Sequence, residues 1–152
     1  METQARKVVC QIGEEEFAFP VEHITGIEKP QPITKVPNTA EHIKGVTNIR
    51  GEVTPLLDLR SYLLKREATL DEDYKILLAQ VGEIKIGLIV DKANEVLDIP
   101  EDLLESVTVE GNENERSIQV AKMENRLIIL LDIDYMLNEM DAETLGKLKT
   151  MV

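Results

Sequence analysis

Aromatic residues are scarce in this chain: two Phe, three Tyr and no Trp among 152 residues. Hydrophobic residues still make up 43%, an ordinary share for a globular protein, so the core must be built from Val, Ile and Leu. Branched side chains of that kind pack best on pleated sheets, and a mainly β protein is expected rather than a helical bundle. Long apolar runs are missing as well. The longest, Ile86 to Val90 and Leu127 to Leu131, hold five residues each, against the roughly twenty that a membrane-spanning helix needs. The single cysteine, Cys10, permits no internal disulfide. Met1-Glu2-Thr3-Gln4 has neither the basic start nor the apolar segment of a secretory leader, so the expected address is the cytoplasm. Cations are outnumbered, 17 Lys and Arg against 29 Asp and Glu, giving a net charge of −12. That sign argues against binding nucleic acid through its phosphates.

Catalytic motifs are missing too. A metal site needs several thiolate or imidazole ligands at close spacing, and Cys10, His23 and His42 lie in three separate segments. Cys10 itself sits in Val8-Val9-Cys10-Gln11-Ile12, which reads as a strand holding an inert, buried thiol. No Gly-x-Ser-x-Gly elbow and no Walker-type glycine loop occur. The acidic triplets Glu14-Glu15-Glu16 and Asp71-Glu72-Asp73 read as solvated turn charges. The expectation is a protein without catalytic residues, metal or cofactor.

What the chain does contain is a repeat. Gln11-Ile12-Gly13-Glu14 through Phe17-Ala18-Phe19-Pro20-Val21-Glu22 aligns without a gap on Gln80-Val81-Gly82-Glu83 through Ile86-Gly87-Leu88-Ile89-Val90-Asp91, at an offset of 69 residues. Val53-Thr54-Pro55-Leu56-Leu57-Asp58-Leu59 aligns on Leu127-Ile128-Ile129-Leu130-Leu131-Asp132-Ile133 at an offset of 74. The second copy has therefore gained five residues, placed by the pattern in the polar stretch Val109 to Arg116.

Each copy follows one plan. A hairpin turns at Gly13 or Gly82, and a third short strand follows at Ile24 to Glu28 or Val96 to Ile99. A short helix comes next, signalled by Pro37-Asn38-Thr39-Ala40-Glu41 before Gly45 and by Pro100-Glu101-Asp102. A second hairpin closes each copy, with Gly51 and Asn125 at equivalent turn positions suited to positive φ. Helical spacing then appears at Leu59, Tyr62 and Leu63, and again at Ile133, Met136, Leu137 and Met140. Small sheets avoid exposed edges by curling. The expected fold is mainly β: two small five-stranded barrels related by the repeat, with short helices. We read residues 1–152 as a single domain with repeat halves 7–66 and 73–140 and a C-terminal helix over 141–152.

The segment Ile43-Lys44-Gly45-Val46-Thr47-Asn48-Ile49-Arg50-Gly51-Glu52-Val53-Thr54-Pro55-Leu56-Leu57-Asp58-Leu59-Arg60 closely resembles the signature of the CheW family, the coupling proteins of bacterial chemotaxis. The resemblance extends from about Lys7 to Asn138, through Phe17 to Ile27, Ile86 to Asp91 and Leu130 to Ile133. It implies two SH3-like or OB-like barrels with some exchange of strands. It also implies a noncatalytic adaptor that binds the regulatory domain of the chemotaxis histidine kinase and the cytoplasmic tip of methyl-accepting receptors, held at membrane arrays through these partners. A fused response-regulator receiver is not expected, since the chain ends at Val152. Residue by residue, the resemblance implies receptor contacts at Ile24, Ile27, Arg50, Lys75 and Ile76, around a groove between the barrels. It implies kinase contacts at Ala93 and Val96. Some relatives carry an acid that pairs with the turn arginine; the matching residue here is Gly26, which leaves Glu28 and Glu52 as the nearest acids in sequence.

Pattern alone also allows plainer readings. Ile24 and Ile27 fit a core, Arg50 fits a solvated turn, and Gly51 fits a purely structural glycine. Two other functions stay open: an adaptor of a different chemosensory pathway, and a ligand-binding β-barrel of unrelated function. A nucleic-acid barrel would need basic grooves lined with stacking aromatics, which five aromatics on a −12 chain do not supply.

Overall fold

The computed structural model describes residues 6–37, 43–64, 74–110, 115–133 and 136. Its strands are β1 (Arg6–Ile12), β2 (Glu15–Pro20), β3 (Ile24–Glu28), β4 (Ile43–Ile49), β5 (Glu52–Asp58), β6 (Lys75–Val81), β7 (Ile84–Val90), β8 (Lys92–Asp98), β9 (Leu104–Glu110), β10 (Glu115–Met123) and β11 (Arg126–Leu130). One helix, α1 (Leu59–Leu64), follows β5. The fold is mainly β, in two sheets, as the scarcity of aromatics and the Val/Ile/Leu composition lead one to expect. Their strand orders are β8-β1-β2-β11-β10-β9 and β3-β6-β7-β5-β4. One sheet has the expected five strands and the other has six, because the segment after Pro100 forms β9.

The sheets do not follow the repeat halves. Each half gives its leading hairpin to the other half's sheet. Hairpin β1–β2 lies between β8 and β11, while hairpin β6–β7 lies between β3 and β5. The new neighbours meet in parallel: β11 with β2 through Leu130 opposite Ala18, and β5 with β7 through Leu56 opposite Gly87. These pairs are equivalent under the offsets of 74 and 69 found in the sequence. The sixth strand has a vestige in the other sheet, where Thr34 and Val46 exchange backbone hydrogen bonds of 2.9 and 2.8 Å.

Both exchanged hairpins are buried on two faces, so they read as near-continuous apolar runs rather than alternating ones. Val8, Cys10, Ile12, Phe17 and Phe19 face a core shared with Leu57, Leu77, Ile86, Leu88 and Val90 of the other sheet. Tyr62 and Leu63 of α1 cover its side, and Ile133 and Met136 are buried within it. The opposite faces fill two smaller clusters, Val9 with Ala18 and Ile128, and Ile76 with Leu56, Tyr74 and Ile89.

A buried ionic chain crosses between the sheets. Asp58 ends β5 with no exposure, and its Oδ1 accepts from the Arg60 backbone N–H at 2.9 Å and from Arg60 Nε at 3.4 Å. Arg60 Nη1 donates to Asp91 Oδ1 at 3.1 Å, and Asp91 Oδ2 accepts from the Gly13 N–H at 2.6 Å. The Asp91 N–H donates in turn to the Gln11 carbonyl at 3.0 Å. Lys44 adds a charge contact, its Nζ 3.9 Å from Asp58 Oδ2. Asp91 sits between β7 and β8, where the backbone passes from one sheet to the other, so the chain of charges ties that passage to the β1–β2 turn.

Several sequence expectations are corrected here. The third strand of the second copy starts earlier than Val96 and runs Lys92–Asp98. The helix expected at Pro100 is only a 3-10 turn, Glu101–Leu103. Val109, Glu110, Glu115 and Arg116, assigned to an irregular insertion, are paired in the β9–β10 ladder. The expected helix at Pro37 falls largely on residues 38–42, and Leu137, Met140 and the helix over 141–152 also lie outside the described residues. At the hairpin turns, Gly51 has φ 86 and Arg50 before it φ 52. In the second copy, Glu124 holds the left-handed position at φ 46, and Asn125 does not. A two-residue turn can place its positive φ at the first, the second or both positions, and residue type alone does not say which.

Gly51 has open space around the place a Cβ would occupy, so its glycine answers to backbone conformation alone. Gly51→Val should lose about 1–3 kcal/mol of stability, and Gly51→Asn clearly less because Asn tolerates the left-handed region. Equal losses in urea denaturation would refute this account. Arg60→Ala strands the buried Asp58 carboxylate and should cost about 3–5 kcal/mol in the same experiment. Burial, then the charge of Asp91, pushes the Cys10 thiol from its ordinary 9.0 up to about 12. The folded state thus holds this proton more tightly, a contribution complete below pH 9 and lost as the pH rises from 9 toward 12. Maleimide labelling at pH 8 should leave Cys10 unmodified in the folded protein and modify it once denaturant is added.

Candidate functional site

The five-stranded sheet opens into a groove at the end where β4 turns into β5. Ile49, Ala79 and Ile86 form its buried floor, Leu78 flanks them, and Thr25, Arg50, Glu52, Gln80 and Lys85 form the rim; the cavity measures about 290 Å³. All of these residues belong to the one sheet, whereas the resemblance had implied a groove between the two barrels.

Arg50 stands at this rim because the tight turn lifts it clear of the strands. Its side chain is 72% exposed, and Nη2 donates to Glu28 Oε2 at 2.7 Å. Glu28 ends β3, one edge of the sheet, and Arg50 follows β4, the other edge. The ion pair therefore spans the two edges of a curled sheet. Of the two acids nearest in sequence, Glu28 takes the arginine, while Glu52 meets Lys85 Nζ at 3.5 Å. The Asn48 side chain fixes the turn from beneath, its Oδ1 accepting from the Gly51 N–H at 2.8 Å.

The other sequence-predicted residues fall in three places. Ile27 is 50% exposed on β3, and Ile24, on the same strand, is half-buried against the shared core. Lys75 begins the neighbouring strand β6, half-buried and opposite Val90 of β7. Ile76 is a correction: with no exposure it packs on Leu56, Tyr74 and Ile89, and a side chain so enclosed cannot touch a partner. Ala93 and Val96 belong to the other sheet, on its edge strand β8, with Ala93 half-buried and Val96 54% exposed. Under the offset of 69, Ile27 and Val96 are equivalent positions, so each sheet presents one exposed branched residue on its corresponding edge.

One polar cluster escaped the sequence reading. Arg126 donates from Nε and Nη2 to the two oxygens of Glu16 at 3.0 Å each, and from Nη2 to Glu95 at 2.8 Å. The hydrogen bonds to Glu16, then those to Glu95, raise the pKa of this guanidinium further. Its members are drawn from β2, β8 and β11, and no local motif marks them. Among the described residues no group of three or more His, Cys, Asp and Glu could hold a metal ion, and no helix is long and apolar enough to cross a membrane.

Comparison with known proteins places this geometry. The CheW-like domain family matches residues 6–141. The chemotaxis protein CheW of Bacillus subtilis is 33% identical over 147 residues, covering 95% of this chain and 94% of that protein. The chemotaxis protein CheW of Thermotoga maritima is 32% identical over 135 residues, covering 88% and 87%. Among solved structures, the scaffolding protein TtCheW from Thermoanaerobacter tengcongensis aligns with a TM-score of 0.72 at 27% identity, covering 85% of this chain and 89% of that one. The match spans both sheets, the Arg50 turn and the strand exchange, and the chain belongs to the CheW family.

Proposed function

We propose that the protein is a noncatalytic adaptor that couples methyl-accepting chemotaxis receptors to the chemotaxis histidine kinase. It would act in the cytoplasm and reach membrane-bound arrays only through these protein partners. The observation that carries the reading is Arg50, held on a strained turn at the rim of an apolar-floored groove in a chain of the CheW family. Folding requires the turn but not an arginine in it. An exposed ion pair such as Arg50–Glu28 contributes only about 0–1 kcal/mol to stability, and a left-handed non-glycine residue is itself unfavourable. At an interface the same guanidinium gains several charge-assisted hydrogen bonds once water is excluded.

In this reading the receptor tip meets Arg50 and Ile27, with Ile24 and Lys75 supporting that edge. The kinase regulatory domain meets the β8 edge of the other sheet, at Val96 and beside Ala93. Two partners on two sheets need no chemistry from the adaptor, only a fixed angle between the faces, and the buried Asp58–Arg60–Asp91 chain supplies stiffness at the crossing.

Arg50→Glu should weaken binding to a receptor tip fragment by tenfold or more, on the order of the 2 kcal/mol typical of an interface arginine. Thermal stability and affinity for the kinase regulatory domain should stay near those of the unaltered protein. Titration against each partner separately, beside a melting curve, checks this. Full receptor affinity would remove Arg50 from the interface, and a collapsed melting temperature would make its role structural. In a reconstituted kinase assay the protein should enable receptor control while neither accepting nor donating phosphate.

A further inference from the structure

The acid that holds Arg50 is not where the fold's other half puts one. Gly26 lies opposite Leu78 in the β3–β6 ladder, and Glu95 lies opposite Val9 in the β8–β1 ladder. The two positions are equivalent under the offset of 69. Glu95 uses its place to grip Arg126 at 2.8 Å across the mouth of the six-stranded sheet, together with Glu16. In the five-stranded sheet the positions matching Glu95, Arg126 and Glu16 are Gly26, Glu52 and Lys85, and the mouth is the open groove.

Gly26 is not there for its backbone. Its φ lies outside the left-handed region, and a Cβ would meet Leu78 Cδ1 at 3.5 Å, an ordinary contact, and Arg50 Nη2 at 4.0 Å. Position 26 thus has room for a side chain pointing at the arginine, and leaves it unused. Glu28, two residues along the same face of the strand, does the holding instead, with its own side chain largely covered at 19% exposure. Among the described residues Arg50 makes no other hydrogen bond. Four of its five N–H donors are left free for a partner.

We propose that Glu28 is the positioning residue for Arg50 in partner recognition. This rests on the receptor reading of the groove. An unanchored arginine loses much rotamer freedom on binding, and fixing one corner of the guanidinium beforehand removes part of that cost without using the donors that face outward. Glu28 thereby keeps Arg50 on the rim, ready for an acidic group of the receptor tip. The requirement is for a carboxylate within reach, and position 26 can supply it equally well.

The test is titration of the full chain against a fragment of the receptor's cytoplasmic tip, with melting curves and kinase-domain titrations alongside. Glu28→Ala should lose about 3–10-fold in receptor affinity, with the melting temperature and kinase affinity unchanged. Glu28→Gln, which keeps an acceptor but not the charge, should fall between the two. Gly26→Glu with Glu28→Ala should recover affinity to within about twofold. In an Arg50→Gln background, Glu28→Ala should have no further effect. Unchanged affinity in the single variant, no recovery in the double variant, or an equal loss without Arg50 would each overturn the assignment. Failure of the unaltered chain to bind the fragment would instead overturn the receptor reading itself.

Discussion

Two parallel strand contacts hold the protein together, β5 against β7 and β11 against β2. Parallel neighbours within one repeat would need a long crossover between them. Here the connection is the chain that runs between the repeats: α1 and β6 lie between β5 and β7, and everything from β3 to β10 lies between β2 and β11. The consequence is that neither half can complete a sheet alone. The hairpins that cross over are buried on both sides, with one face in the shared core and one in their adopted sheet. The largest core cluster is therefore built by both sequence halves together.

The buried charges follow from the same arrangement. Where the chain passes from one sheet to the other at the half-buried Asp91, that carboxylate accepts from the Gly13 N–H while Arg60 neutralises it. Replacing such a cluster by apolar residues is often neutral for stability, so its presence is better explained by geometry. Two hydrogen-bonded oxygens fix an angle that packing alone leaves soft. By contrast the Arg50 end of the Arg50–Glu28 pair stands 72% exposed, and a pair so open to water contributes little to folding.

The repeat was legible because its marks are local: glycine turns, apolar hairpins and an intact spacing of 69 and 74 residues. The exchange itself was not legible from periodicity. Hairpins β1–β2 and β6–β7 are alike in length and pattern, so nothing in either sequence says which sheet it joins. Ile76 was implied by the family resemblance alone, and the strand pattern could not say which way it faces. In Lys75-Ile76-Leu77-Leu78-Ala79 both faces are apolar, no alternation marks the solvent side, and the residue that looked available proved to be core. The Arg50 turn was readable since Asn-x-Arg-Gly is contiguous. Arg126, Glu16 and Glu95 were not, because up to 110 residues separate members that become neighbours only in the folded sheet.

Strand exchange also bears on how the protein is made. Domains generally begin to fold as they emerge from the ribosome, N-terminal part first, at about 5–20 residues per second. Here β2 finds its parallel neighbour only when β11 appears, and Glu16 waits for Arg126, 110 residues later. At that pace the β2 edge of the first hairpin stays without its permanent neighbour for roughly 5–20 s. The hairpin spends the interval as an apolar ribbon with open edges, the kind of segment that pairs with other nascent chains. The same topology that makes the finished molecule resist separation into halves leaves its earliest-made strands in need of shelter during synthesis.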